Sequence, residues 1–190
     1  MTADNTTPAA ALRPRHRGIG RDGSRAAERV SDDLRFGSGD WLEQRRSVSR
    51  YSLVAMAALG VVHAYQTGLI RRPPEPRLPG LDAARVDGSA EAYEMFKTPD
   101  AALGLASYAL TLVLAGMGDR RRSAQQPWIP LALLGKVLVD ASSGMFLTAE
   151  QATKHRRFCS WCLVAAGASM AMVPRAMPEA LAAWRQLRRR

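Results

Sequence analysis

Residues 51–70 read YSLVAMAALGVVHAYQTGLI, and Arg71, Arg72, Pro73 and Pro74 follow directly. Twenty helical residues rise about 30 Å, the thickness of a bilayer's hydrocarbon core. The two prolines cannot donate an amide hydrogen and disfavour helix in what precedes them, so the span is expected to stop there. Further apolar blocks predict three more spans, at about 101–118, 128–147 and 158–173. The expected fold is therefore all-α, a four-transmembrane-helix bundle with a disordered N-terminal tail.

The 190 residues carry a formal net charge of +10, a balance that raises the question of nucleic acid. The arginines, however, gather at the ends of the apolar blocks: Arg45, Arg46 and Arg50; Arg120, Arg121 and Arg122; Arg188, Arg189 and Arg190. Membrane proteins place basic residues there, so the expected partner is membrane lipid and not nucleic acid. An even number of spans puts both termini on one side. The three arginine groups fall on that side, which is then cytoplasmic. The expected location is the cell inner (plasma) membrane, multi-pass. Residues 71–100 and the 148–158 connection then face outward, with Arg71, Arg72, Lys154, Arg156 and Arg157 running against the charge rule. No cleavable signal is expected, because the first apolar block starts too late.

Residues 1–50 are expected to be a disordered or amphipathic cytoplasmic tail. Residues 1–40 hold few large apolar side chains, a composition that cannot bury a core. Residues 31–46 read either as coil or as a short helix with Trp41 and Leu42 at the membrane surface. The membrane redox domain is expected over 51–178. Pro174 and Pro178 are expected to interrupt the last helix, leaving 179–190 as a basic tail. Residues 87–97 are expected to form a short surface helix with Tyr93, Met95 and Phe96 partly buried. Thr148-x-x-Gln151 fits a capping box, so a helix start at Ala149 competes with one near Phe158.

The two cysteines, Cys159 and Cys162, stand in Phe158-Cys-Ser-Trp-Cys162, where a basic stretch meets the last apolar block. Positions i and i+3 share a helical face, and the spacing suits a disulfide that opens and closes. Lys154, His155, Arg156 and Arg157 lie just upstream and favour a thiolate at Cys159; a helix starting near Phe158 would add to this. A dithiol at the mouth of a membrane bundle suggests electron transfer between thiols and a lipid-soluble carrier, although two buried thiols without a role remain the plain alternative. The cysteines and His155 make three zinc ligands with no fourth, so no metal is expected. Lys136 and Asp140 lie four apart in the third span and read either as an ion pair that fixes packing or as a proton path. His63 reads as a proton or hydrogen-bond donor to the carrier, or as a packed interhelical histidine. Asp100 reads as a hydrogen-bond partner for a quinone oxygen or as a helix cap. Tyr108 follows in the same span.

Over residues 51 to about 175 the chain resembles the vitamin K epoxide reductase family. The resemblance lies in four spans, a long outer loop between the first two, Phe-Cys-x-x-Cys opening the fourth, and the stretch Asp100-Ala-Ala-Leu-Gly104-Leu-Ala-Ser-Tyr108. It implies a membrane thiol–quinone oxidoreductase built around a pocket for a quinone of the menaquinone or ubiquinone type. Cys162 would react with the quinone, and Cys159 with incoming thiols, such as those of an extracytoplasmic thioredoxin-like protein. The chain departs from the family twice. Residues 71–100 contain no cysteine, where family members commonly carry a relay pair, and Ala166 stands where the family has a tyrosine. A rival reading follows from the first departure: a diverged, non-catalytic membrane interaction protein with a static disulfide.

Overall fold

The computed structural model describes residues 25–39 and 41–189, and their regular elements are all helical. Residues 1–24 of the expected tail lie outside the described residues. The described part of it is not coil: α1 (Arg25–Phe36) is helical, with Glu28 in its first turn and Arg35 in its last, the signs that suit the helix dipole. It ends at Phe36 and is a separate element from α2 (Leu42–Gln66), so no single helix covers 31–46.

The first apolar block is the later part of α2. The helix starts early because its first turns have partners: Arg46 donates to the carbonyls of Leu34 and Gly37 at the end of α1, and Leu42, Arg45 and Val48 are buried. It also stops early. The amide of Thr67 bonds the His63 carbonyl at 2.9 Å, and Gly68 takes a φ of 77°, the left-handed conformation that commonly closes a helix. Gly68, not Pro73, ends this helix.

The loop that follows holds α3 (Ala83–Asp87) and two short 3₁₀ turns, Ala90–Tyr93 and Met95–Lys97, instead of one helix over 87–97. Tyr93 is half-buried and donates to the Gln66 carbonyl, while Met95 and Phe96 are exposed. Next come α4 (Asp100–Gly116), the single turn α5 (Arg122–Gln125), α6 (Trp128–Glu150) and α7 (Ser160–Arg188). The capping-box reading of Thr148 fails: α6 runs through it and ends in one π turn, Gln151–His155, before a reversal at Arg156. The prolines at 174 and 178 do not interrupt α7. A proline inside a helix costs about 3 kcal/mol. Here Ala176, Glu179, Ala180 and Ala183 are buried beyond the break that local rules expect, and that packing holds the helix together.

Four long helices pack together, α7 along both α2 and α6, and α4 along α2. Small side chains set the spacing: Ala55, Ala58, Ala165 and Ala168 are core residues. A β-carbon on Gly144 of α6 would meet Ala166 of α7 at 3.2 Å, so these two helices touch backbone to backbone. Among the described residues, two helical stretches, Leu42–Gln66 and Trp128–His155, are long and apolar enough to cross a bilayer; α4 is apolar but shorter.

One end of the bundle is tied by charge. Glu179 accepts from Arg45 and Arg122, all three being buried. Arg122 also donates to the carbonyls of Leu114, Ala115 and Met117 at the C-terminus of α4, and Arg45 to that of Asp119. These arginines satisfy a helix end and a carboxylate inside the protein, not lipid headgroups as their positions in the sequence suggest. The opposite end holds the cysteines.

Candidate active site

The thiol end is assembled by hydrogen bonds between loops and helix starts. Extended backbone at Phe158 pairs with the loop between α2 and α4: its amide donates to the Gly80 carbonyl at 2.9 Å, and its carbonyl accepts from Asp82 at 3.0 Å. Cys159 is then the N-cap of α7, which begins at Ser160. The start near Phe158 is thus the one adopted. Its sulfur takes the part a serine oxygen often plays, accepting the Cys162 amide at 3.2 Å. Gln151 fixes this cap by accepting the Cys159 amide at 3.0 Å.

Glu75 straps the loop down. One carboxylate oxygen accepts the Ala83 amide at the start of α3 (2.7 Å), and the other accepts the Ser160 amide at the start of α7 (2.8 Å). Trp161 donates its indole N–H to the Pro74 carbonyl. Cys159 is wholly buried, in a cluster with Val62, Ala83, Val86 and Ala101. Both cysteines are free thiols.

Cys162 opens instead onto a cavity of about 200 Å³ between α2, α4, α6, α7 and the loop, with a mostly apolar wall. Its thiol lies 3.3 Å from Asp87 Oδ1. Asp87, the last residue of α3, is buried, and its other oxygen, Oδ2, has no hydrogen-bond partner. Burial pushes the Asp87 carboxyl up to about 6, against the opposing pull of the neighbouring thiols.

Of the residues singled out from the sequence, Cys162, Asp100 and Tyr108 line this cavity. Asp100 is the first residue of α4, after an N-cap at Pro99, and accepts from Gln66 Nε2 at 2.7 Å. Tyr108 shares a hydrogen bond with Ser169 of α7. Cys159 lies beside the cavity without lining it. His63 does not line it either, and its Nδ1 is buried without a partner. Lys136 and Asp140 form the expected ion pair. Asp140 lines the cavity and also accepts from Ser107 and Thr111 of α4. Ala166 lines it too, against Gly144, so this stretch of the α7 wall has no hydroxyl.

Asp87, Glu75 and Gln151 were missed. Asp87 and Glu75 sit in a polar, proline-rich loop where nothing local separates them from surface acids. Gln151 carried a signal, the capping pattern, but caps Cys159 and not its own helix.

The site is a cysteine pair in a helical protein, with Cys159 buried and Cys162 on the wall of a mostly apolar cavity, and a dithiol is the working group of thiol-based redox chemistry. The chain belongs to the vitamin K epoxide reductase family, whose model matches residues 48–177. No curated protein and no solved structure matches it. Membership supports an oxidoreductase activity, with quinones and thiol proteins as the family's general partners and a membrane-associated setting.

Proposed function

We propose that this chain is a membrane thiol–quinone oxidoreductase working through the Cys159–Cys162 pair. The observation that carries the reading is the placement of Cys162, on the cavity wall and within hydrogen-bond reach of Asp87. The overall exchange is dithiol plus quinone giving disulfide plus hydroquinone. Two electrons and two protons leave the thiols, and the cycle closes when a partner dithiol reduces the Cys159–Cys162 disulfide by exchange.

The residues present fit a ring of this kind. The wall is mostly apolar, and Asp87, Asp100 and Tyr108 supply the few polar groups a ring's oxygens need. Asp87 accepts the Cys162 proton, leaving the sulfur charged and nucleophilic. Cys159 sits at the positive end of α7, so the helix favours negative charge on its sulfur during exchange. Ala83 and Val86 cover that sulfur, so a protein thiol reaches it only when the loop lifts.

The bilayer reading of all four long helices is supported by their outward faces. Leu53 and Val54 of α2, Leu110 and Val113 of α4, Val139 and Phe146 of α6, and Val164 and Met170 of α7 are all exposed. An apolar belt of this extent suits lipid. The redox domain is then 51–178 extended at both ends, with the arginine end cytoplasmic and the thiol end outside, as the positive-inside rule directs.

The test is thiol-dependent reduction of a soluble quinone by protein purified in detergent. Cys162→Ser is expected to lower the rate at least about a thousandfold, about 4 kcal/mol in barrier. Persistence of the rate rejects the mechanism. The buried position of Cys159 also suits the rival, a static disulfide. Thiol labelling in membranes separates the two, because a static pair stays unlabelled whether or not quinone is supplied.

A further inference from the structure

We infer that the reduced dithiol and Asp87 form a binding site for a thiophilic divalent cation of the Zn²⁺ type. Among the described residues, Cys159 Sγ, Cys162 Sγ and an Asp87 carboxylate oxygen lie within 4.8 Å of one another. A tetrahedral zinc ion with sulfur at about 2.3 Å and oxygen at about 2.0 Å spaces its ligands roughly 3.5–3.8 Å apart. The Cys162 Sγ to Asp87 Oδ1 distance is already 3.3 Å. His155, the third ligand the sequence suggests, is not part of this cluster.

A second observation points to a missing ligand. Asp87 is 3% exposed, yet its Oδ2 has no hydrogen-bond partner. A buried carboxylate oxygen left bare costs free energy, and a cation removes that cost. The approach is open, because Cys162 and Asp87 both line the cavity. Two sulfurs and one oxygen leave the fourth position to water from the cavity, as in zinc sites with three protein ligands. Binding replaces two thiol protons: Zn²⁺ plus two thiols gives the zinc dithiolate and two H⁺. A disulfide has no such protons to lose and no thiolate to offer, so the site exists only in the reduced protein. Once occupied, it holds both sulfurs away from exchange.

The experiment titrates Zn²⁺ into the full-length protein in detergent against a chromophoric chelator, with reduced and oxidised samples side by side. One equivalent bound by the reduced form and none by the disulfide form is expected. Asp87→Asn keeps the shape and is expected to weaken binding at least about tenfold, and Asp87→Cys to restore it through a third thiolate. Equal binding by the oxidised protein, unchanged affinity in Asp87→Asn, or no binding by the reduced protein overturns the site. No quinone or partner thiol enters the assay, so its failure leaves the oxidoreductase reading standing. Loss of that reading in the Cys162→Ser rate assay leaves the metal site standing in turn.

Discussion

The two ends of the bundle treat buried polar groups in opposite ways. At the arginine end, both oxygens of Glu179 accept from the guanidinium groups of Arg45 and Arg122, whose remaining N–H groups reach backbone carbonyls. At the thiol end, the two sulfurs are not joined in a disulfide, and two buried polar atoms, His63 Nδ1 and Asp87 Oδ2, lack partners. The difference separates what holds the helices from what they hold. A closed ionic network at one end fixes α2, α4, α5 and α7, and this lets the other end carry unpaired groups whose stability is sacrificed to reactivity.

The sharpest break of this contrast is at Glu179. Glu179→Gln keeps the volume but leaves two buried guanidinium groups facing a neutral amide. Removing one partner from a buried ion network costs about 3–5 kcal/mol, so thermal unfolding in detergent should move by many degrees. A variant that unfolds within about 0.5 kcal/mol of the parent, a change typical of surface positions, would mean that the arginine end is not the anchor.

Asp87 tests the other end. If it takes the Cys162 proton, the parent's thiol-to-quinone rate rises with pH through about 6. Asp87→Asn should lose that inflection and about a hundredfold in rate, a usual share for a general base. Stability runs the opposite way. The folded-state pKa of Asp87 lies above the unfolded value, so its contribution is present in acid and lost as pH rises through about 6. The parent should therefore lose ground to Asp87→Asn between pH 4 and pH 8. An unchanged rate profile makes the carboxylate a bystander.

The same division governs what the sequence discloses. The four apolar blocks, the cysteine spacing and the Lys136–Asp140 pair are periodic or adjacent signals, and each appears where its spacing places it. Asp100 and Tyr108 share one helix, and both line the cavity. The features that escaped join residues far apart in the chain. Arg45 meets Glu179 across 134 positions, and Ser160 meets Glu75 across 85. An arginine at the end of an apolar block reads as a headgroup contact until a distant carboxylate is brought to it. Pro174 and Pro178 mislead for a related reason: the local rule is correct, but packing around Glu179 overrides it.

The smallest effect expected comes from the strap. Glu75 joins the starts of α3 and α7, and with them the covered and covering sides of Cys159. In the parent, Cys162 should react with a small maleimide through the cavity, whereas Cys159 waits for the loop to open. Hydrogen bonds to a charged group contribute about 1.5–3 kcal/mol each, and water recovers part of that when the loop lifts. Glu75→Ala should therefore raise Cys159 labelling about tenfold, read by mass spectrometry of singly and doubly modified protein, with little change at Cys162. If both cysteines speed up together, the whole thiol end has loosened and Glu75 is one support among many. If neither changes, the Leu81–Phe158 pairing and the Trp161–Pro74 bond hold the loop alone, and the gate to Cys159 lies in the backbone and not in this carboxylate.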